Sequence, residues 1–321
     1  MIKNLPSKSL QTLLSKIIDY AGLYPPANLP LEDAICNFVK YQIDSDEWML
    51  SRFIIPAKRL TELSQLAEQV FPREEVLAFS VLGRGGKDAH EFLENLKLDI
   101  EDIYAFRKNH GVGVLVDMFE VVLPASALGD NSSTLDLVNE AADVLNKNGL
   151  IVFFEASYGE GWQVRAEKLI RSLRKIKDKH VGFKLRTGGV TADAFPSTEQ
   201  VAWAIASTRD AGIPMKCTAG LHHPVRHYNE NVQTKMHGFI NVFGAGVLAV
   251  AHKLSQEQIK SILEDENPAS FVFNNNGFAW KNLRVATSKI LHARHQIVSF
   301  GSCSFDEPRE DLQKIGLLKH L

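Results

Sequence analysis

Eight apolar runs of strand length, each separated from the next by a stretch of helical period, restrict this chain to few architectures. The runs are SKIIDYAGL (15–23), LSRFIIP (50–56), VLAFSVLG (76–83), VDMFEVVLP (116–124), LIVFFEAS (150–157), VGFKLR (181–186), IPMKCT (213–218) and GFINVFGA (238–245). Short runs rich in β-branched and aromatic residues between turn signals read as strands, whereas apolar residues three and four apart read as helices. Helical spacing fills RLTELSQLAEQVF, DAHEFLENLKL, STLDLVNEAADVLNKNG, WQVRAEKLIRSLRKIKD and STEQVAWAIASTRDAG, several opening on a Ser or Asp cap and two closing on Gly. The stretch between 84 and 115 fits either two helices or a helix and a loop. Such alternation is the pattern of parallel strands with crossover helices, and eight units predict an α/β fold, a (β/α)8 TIM barrel. Chemistry in that fold belongs at the C-terminal ends of the strands.

After the eighth run VLAVAHKL predicts a closing helix, which places the barrel at 1–253 and a C-terminal extension at 254–321. The extension holds a helical stretch (LRVATSKILHARHQI), an Asn-rich turn (FNNNGFAWK) and a Gly/Cys/Ser run (FGSCSFDEP). Two roles stay open: a segment packed on the barrel or at a subunit interface, which allows a homo-oligomer, and a lid over the strand ends.

The 321 residues suit one such domain. Lys and Arg number 36 against 38 Asp and Glu, without a basic block, so neither a nucleic acid nor an anionic membrane is the expected partner. A small molecule is. The start MIKNLPSKSLQTLLSK has no apolar core or cleavage site of a signal peptide, and no 18 uncharged apolar residues run together, so a cytoplasmic location is expected. Cys36, Cys217 and Cys303 are odd in number and far apart, which argues against a disulfide framework or a zinc ribbon.

Two strands place a lysine near the C-terminal end, Lys184 in VGFKLRTGG and Lys216 in IPMKCTAG. Burying an ammonium is costly unless it is paired or its pKa falls. Neighbouring strands lie about 4.8 Å apart. Two inward lysines at one height would each favour the neutral form of the other, and a neutral lysine adds to a carbonyl to form a Schiff base. Outward-facing lysines or structural ion pairs would explain the same residues without chemistry. Glu120, Glu155 and Asp19 stand within apolar strand runs, where acids are unusual. With the lysines they suggest one shared polar interior able to move protons. His222, His223 and His227, with His237 beyond, follow the Lys216 strand and raise a rival metal reading, although HHPVRH fits no specific ligand spacing. Gly188, Gly189, Gly220, Gly244 and Gly246 occupy turns after the last runs, where backbone N–H groups can hold a phosphate or merely shape a loop.

With these residues in place the chain resembles the deoxyribose-phosphate aldolase family, class I aldolases with a barrel fold. IIDYAGLYPPANLPLEDAICNFVK is similar to the family's IDHTLL strand and the turn after it, and puts Asp19 at the family's first aspartate. RFIIPAKRLTELSQL resembles the second strand and its helix. MFEVVLPASAL resembles a DVVFP run with Glu120 at its aspartate, and LIVFFEAS resembles LKVIIET with Glu155 at its glutamate. GFKLRTGG resembles FIKTSTG, which gives Lys184 the Schiff-base role, and PMKCTAGL resembles FKxxGGI, which gives Lys216 the task of lowering the nucleophile's pKa. NVFGAGVLAVA resembles RFGASSLLAS. The chain departs from the family at Glu120, one methylene longer, at Arg186 beside the nucleophile, and at Gly246–Val247, where the family holds phosphate with Ser–Ser. The TAGLHHPVRH loop and the tail have no counterpart, and KLRTGG with TAGLHHP marks a divergent bacterial group.

The resemblance implies a lyase that makes or breaks a carbon–carbon bond on a small carbonyl substrate without a cofactor. Lys184 is the expected nucleophile and Lys216 its tuner, with Glu120, Asp19 and Glu155 relaying protons. Arg186, Thr187, Gly188, Gly189, Gly220, His222, His223, Arg226 and Gly244 are the expected substrate-binding set, suited to an anionic or hydroxylated ligand. Two alternatives remain: a metal-dependent hydrolase or lyase built on His222, His223 and His227 with Glu155, and a barrel with a binding role only.

Overall fold

Seven of the eight runs form barrel strands: β1 (Ile18–Tyr20), β2 (Leu50–Pro56), β3 (Leu77–Leu82), β4 (Val114–Leu123), β5 (Ile151–Ala156), β6 (Val181–Arg186) and β7 (Met215–Thr218). The structure is a computed structural model that describes residues 6–72 and 75–319. Between 84 and 115 the chain forms one long helix, Ala89–His110, whose N-cap Asp88 accepts from the Glu91 N–H. The helix Thr198–Ala211 opens on a capping box between Ser197 and Gln200 and closes on Gly212 at φ 68°.

The eighth run is not a strand. GFINVFGA begins a helix, Phe239–His252, that is buried continuously from Phe239 to Ala249. A helix apolar on every side is a core helix, and a short window of it has the same apolar continuity as a buried strand. Before this helix lies a hairpin of β8 (His227–Asn229) and β9 (Thr234–Met236). After it come the helix Gln256–Leu263, a small antiparallel sheet of β10 (Phe271–Phe273), β11 (Gly277–Trp280) and β12 (Leu283–Ala286), and the helix Thr287–Arg294. Only then does β13 (Ile297–Ser302) pair in parallel with β1 and β7 and close the barrel.

The expected division at 253 is therefore corrected: the closing strand β13 lies within 254–321. The β10–β12 sheet of that segment is tied to the helix Lys8–Leu14, which leads into β1, through Ser9 N–H to Asn274 O (3.3 Å) and Asn274 N–H to Ser9 Oγ (3.1 Å).

Alternation along the strands sorts the barrel into two layers. Phe53, Ile55, Phe79, Val81, Phe119, Val121, Val152, Phe154, Phe183, Leu185, Cys217 and Phe300 join the apolar core shared with the helices. Their neighbours Ser80, Glu120, Glu155, Lys184, Lys216 and Ser299 form the buried polar set inside the barrel. A ring at the centre of β5 helps to fill the interior: a Cβ on Gly182 would stand 2.3 Å from Phe153 Cε1, so only glycine fits beside it.

Candidate active site

The inward polar residues meet in one chain of ion pairs. Lys184 is the register partner of both Glu155 and Lys216, which sets the lysines side by side on β6 and β7. Glu120, from β4, lies between the amines, with Oε2 3.0 Å from Lys184 Nζ and Oε1 2.9 Å from Lys216 Nζ. Glu155 Oε2 is 3.2 Å from Lys184 Nζ, and its Oε1 is 3.3 Å from Arg186 Nε. Lys216 also donates to Asp19 Oδ2, an oxygen that Ser299 Oγ reaches at 2.6 Å, while Asp19 Oδ1 accepts from the Arg52 N–H at 3.1 Å. Ser80 Oγ donates to Glu120 Oε1 at 2.5 Å. Lys184 and Lys216, with the partly exposed Arg186 at the edge, thus face Asp19, Glu120 and Glu155, and each basic group contacts at least one carboxylate.

This arrangement corrects the expectation that Lys216 keeps Lys184 neutral. Burial pushes the Lys184 ammonium down, but Glu120 and then Glu155 outweigh it and raise its pKa above the ordinary value. Burial likewise pushes Glu120 up, yet Lys184 and Lys216 hold it down at about 2. The amines act on each other through a shared carboxylate, and opposite charge wins over like charge because it is in contact.

A cavity of about 270 Å³ opens above this cluster and is lined by Tyr24, Ile54, Leu82, Glu120, Lys184, Arg186, Gly189, Thr218, His222 and Cys303 among others. That volume lies just below the usual range for drug-sized ligands and suits a small molecule. At the rim His222 Nδ1 lies 3.3 Å from Glu307 Oε2 and 3.8 Å from Cys303 Sγ. Burial pushes this imidazole down, whereas Cys303 and Glu307 raise it to about 9 from an ordinary 6.5. Stability gained from the pair is full below about pH 6.5 and is lost as pH rises through about 9. Melting temperature is expected to fall across that window in the wild type and to change much less in Glu307→Gln; equal profiles would refute the assignment.

No family model matches the chain, and no curated protein matches its sequence. Among solved structures it is similar to the tetrameric deoxyribose phosphate aldolase from Aeropyrum pernix, at 15% identity over 68% of this chain and 86% of that one, with a TM-score of 0.45. It is also similar to the YdjI aldolase from Escherichia coli K12, at 10% identity over 80% and 90% of the two chains with a TM-score of 0.37. A third similar structure is the IOLI protein with a bound zinc atom, at 11% identity over 77% and 95% with a TM-score of 0.42.

Of the residues expected from the sequence, Lys184, Glu120, Arg186, Gly189 and His222 line the cavity. Glu155, Lys216 and Asp19 stand behind it as ion-pair partners, Lys216 and Asp19 with no exposed surface. The rest lie elsewhere. Thr187 Oγ1 donates to Thr218 O (3.1 Å) and Ala219 O (2.6 Å) and joins two loops. Gly188 and Gly220 press together where those loops cross: a Cβ on Gly188 would lie 2.8 Å from Gly220 Cα, and Gly220 has φ +73°. Their conformational freedom serves this close approach.

Arg226 is held outside the cavity wall, its N–H donating to Asn241 Oδ1 at 2.8 Å, and Gly244 lies inside the helix Phe239–His252 against Phe278. His223 pairs with Asp311, and His227 Nδ1 faces Val225 O at 3.2 Å. The three imidazoles of the rival metal reading therefore have separate partners, and no group of three His, Cys, Asp or Glu among the described residues is placed to hold a metal ion.

Tyr24, Ser80, Ser299, Cys303 and Glu307 belong to the site or its rim without having been singled out in the sequence. Ser299 lies within β13 and Cys303 just after it, and that strand was hidden in the tail. Ser80 carried a signal, being the polar residue inside the apolar run VLAFSVLG.

Proposed function

We propose that this barrel is a lyase of the class I aldolase type, in which Lys184 forms a Schiff base with a small aldehyde or ketone and a neighbouring carbon–carbon bond is then made or broken. The observation that carries the reading is Lys184 itself, an amine lining the cavity at the strand ends with two carboxylates at 3.0 and 3.2 Å. Condensation of an ammonium with a carbonyl releases water and leaves an iminium with the same single positive charge. The carboxylates that hold the ammonium are therefore already placed to hold the iminium, and no net charge need be created in the interior.

Glu120 is the proton acceptor in contact with the amine, and Lys216 with Asp19 fixes its other oxygen. Arg186 and His222 supply positive charge on the cavity wall for an anionic or hydroxylated end of the substrate. A barrel that binds such a molecule without turnover is the second reading, favoured by the pairing of Lys184 with two carboxylates. It predicts saturable binding without covalent labelling.

Because the carboxylates keep Lys184 protonated near neutral pH, the attacking amine is a minor species. Since Glu120 accepts the Lys184 proton within the site, no proton need leave to solvent before attack, and cyanoborohydride labelling with a panel of small aldehydes and ketones should change by less than about threefold between about pH 6 and pH 9. A rate that rises about tenfold per pH unit would show that the proton goes to solvent rather than to Glu120, and a panel that labels nothing would remove the Schiff-base reading.

A further inference from the structure

Tyr24 lies just beyond β1 and lines the same cavity as Lys184 and Glu120. Its hydroxyl oxygen is buried and has no hydrogen-bond partner among the described residues. Buried phenols normally find a partner, because an unpaired hydroxyl away from water is costly. The side chain is not placed through its oxygen: the turn holds it, Tyr24 N–H donating to Ala21 O at 2.9 Å and Tyr24 O accepting from the Asn28 N–H at 3.0 Å. Burial pushes the phenol's pKa up, against the opposing pull of Lys184, so the group is an O–H donor throughout the working range. Around the amine, Glu120 and Glu155 present carboxylate oxygens and Arg186 a guanidinium. Tyr24 adds a neutral donor whose proton no described protein group takes up.

We propose that Tyr24 is a catalytic acid for formation of the Schiff base, a role that rests on the reading of Lys184 as nucleophile. Glu120 first takes one proton from the ammonium. The freed electron pair on Nζ forms the N–C bond, the C=O π pair moves onto oxygen, and oxygen takes the Tyr24 proton. The phenolate regains a proton from the new secondary ammonium and delivers it to the hydroxyl. Water leaves as the nitrogen pair forms the C=N bond, and the proton stored on Glu120 restores the phenol. The sum is ammonium plus carbonyl giving iminium plus water, with Glu120 and Tyr24 back in their starting states.

Tyr24→Phe removes only the unpartnered oxygen. With acetaldehyde and the other carbonyls of the panel as probes, its rate of labelling should fall about a hundredfold, the usual order for loss of a general acid. Its melting temperature should stay unchanged or rise, since an unsatisfied buried group has been deleted. If the wild type is labelled and the variant is labelled within about threefold of its rate, the role of Tyr24 fails while the Schiff-base reading stands. A loss of labelling that accompanies a lowered melting temperature would make Tyr24 structural and also overturn the proposal. A wild type that no carbonyl labels would overturn both.

Discussion

Lys184→Arg should lose carbonyl-dependent labelling, and turnover of whichever carbonyl labels the wild type, by at least about a thousandfold. The guanidinium keeps the positive charge and can still pair with Glu120 and Glu155, which stand 3.0 and 3.2 Å from the native amine. It stays protonated at any working pH and has no free electron pair to add to a carbonyl. The longer side chain has room, because Lys184 borders the cavity rather than the packed layer below it. Urea unfolding of the variant should therefore lie close to the wild type while chemistry is gone. Persistence of labelling at a similar rate would place the nucleophile elsewhere.

Lys216→Met should show the opposite division, losing about 3–5 kcal/mol of stability, because breaking a buried pair strands a charge. Lys216 has no exposed side-chain surface and is in contact with Asp19 and, at 2.9 Å, with Glu120. Methionine conserves the approximate shape, so the loss reports charge more than a cavity. Asp19→Asn combined with Lys216→Met should recover part of the loss, since the stranded carboxylate is neutralised while the amide oxygen can still accept from the Arg52 N–H and the amide NH2 can donate to Ser299 Oγ. Chemical denaturation at neutral pH measures both. A single variant as stable as the wild type would mean that the network contributes no stability. The same network sets the acid limit: with Glu120 depressed from 4.5 to about 2, its contribution is full above about pH 4.5 and is lost as pH falls toward 2.

Most of the barrel was legible because its strands face the helices with large apolar side chains, as in RFIIP, LAFSV and VFFEA, bounded by caps and turns. Reading failed at one place for a physical reason. Strand β13, IVSFGS, turns Ser299 and Gly301 inward, so its apolar signal is thin, whereas the helix Phe239–His252, buried without a break from Phe239 to Ala249, offers the most continuous apolar run in the chain. One exchange of strand for helix moved the apparent end of the barrel by some fifty residues and concealed Ser299, Cys303 and Glu307.

Acids and lysines inside apolar strands were visible, and the structure brings all five together. Their mutual charges were not, because a strand pattern gives register within one strand but not which carboxylate fills the space between two amines. Glu120 decides that point, and with it whether Lys184 rests charged or neutral. Loop residues such as Arg226 and the glycines were least legible, since their partners come from segments remote in sequence.

The central claim is that Lys184 is the amine that meets the carbonyl. Reducing the protein with borohydride in the presence of each carbonyl of the panel, then mapping the mass increment by peptide sequencing, tests it most directly. The account predicts one adduct per chain, on Lys184, absent without the carbonyl. An adduct on Lys216 or on a surface lysine, or none with any carbonyl, would contradict it.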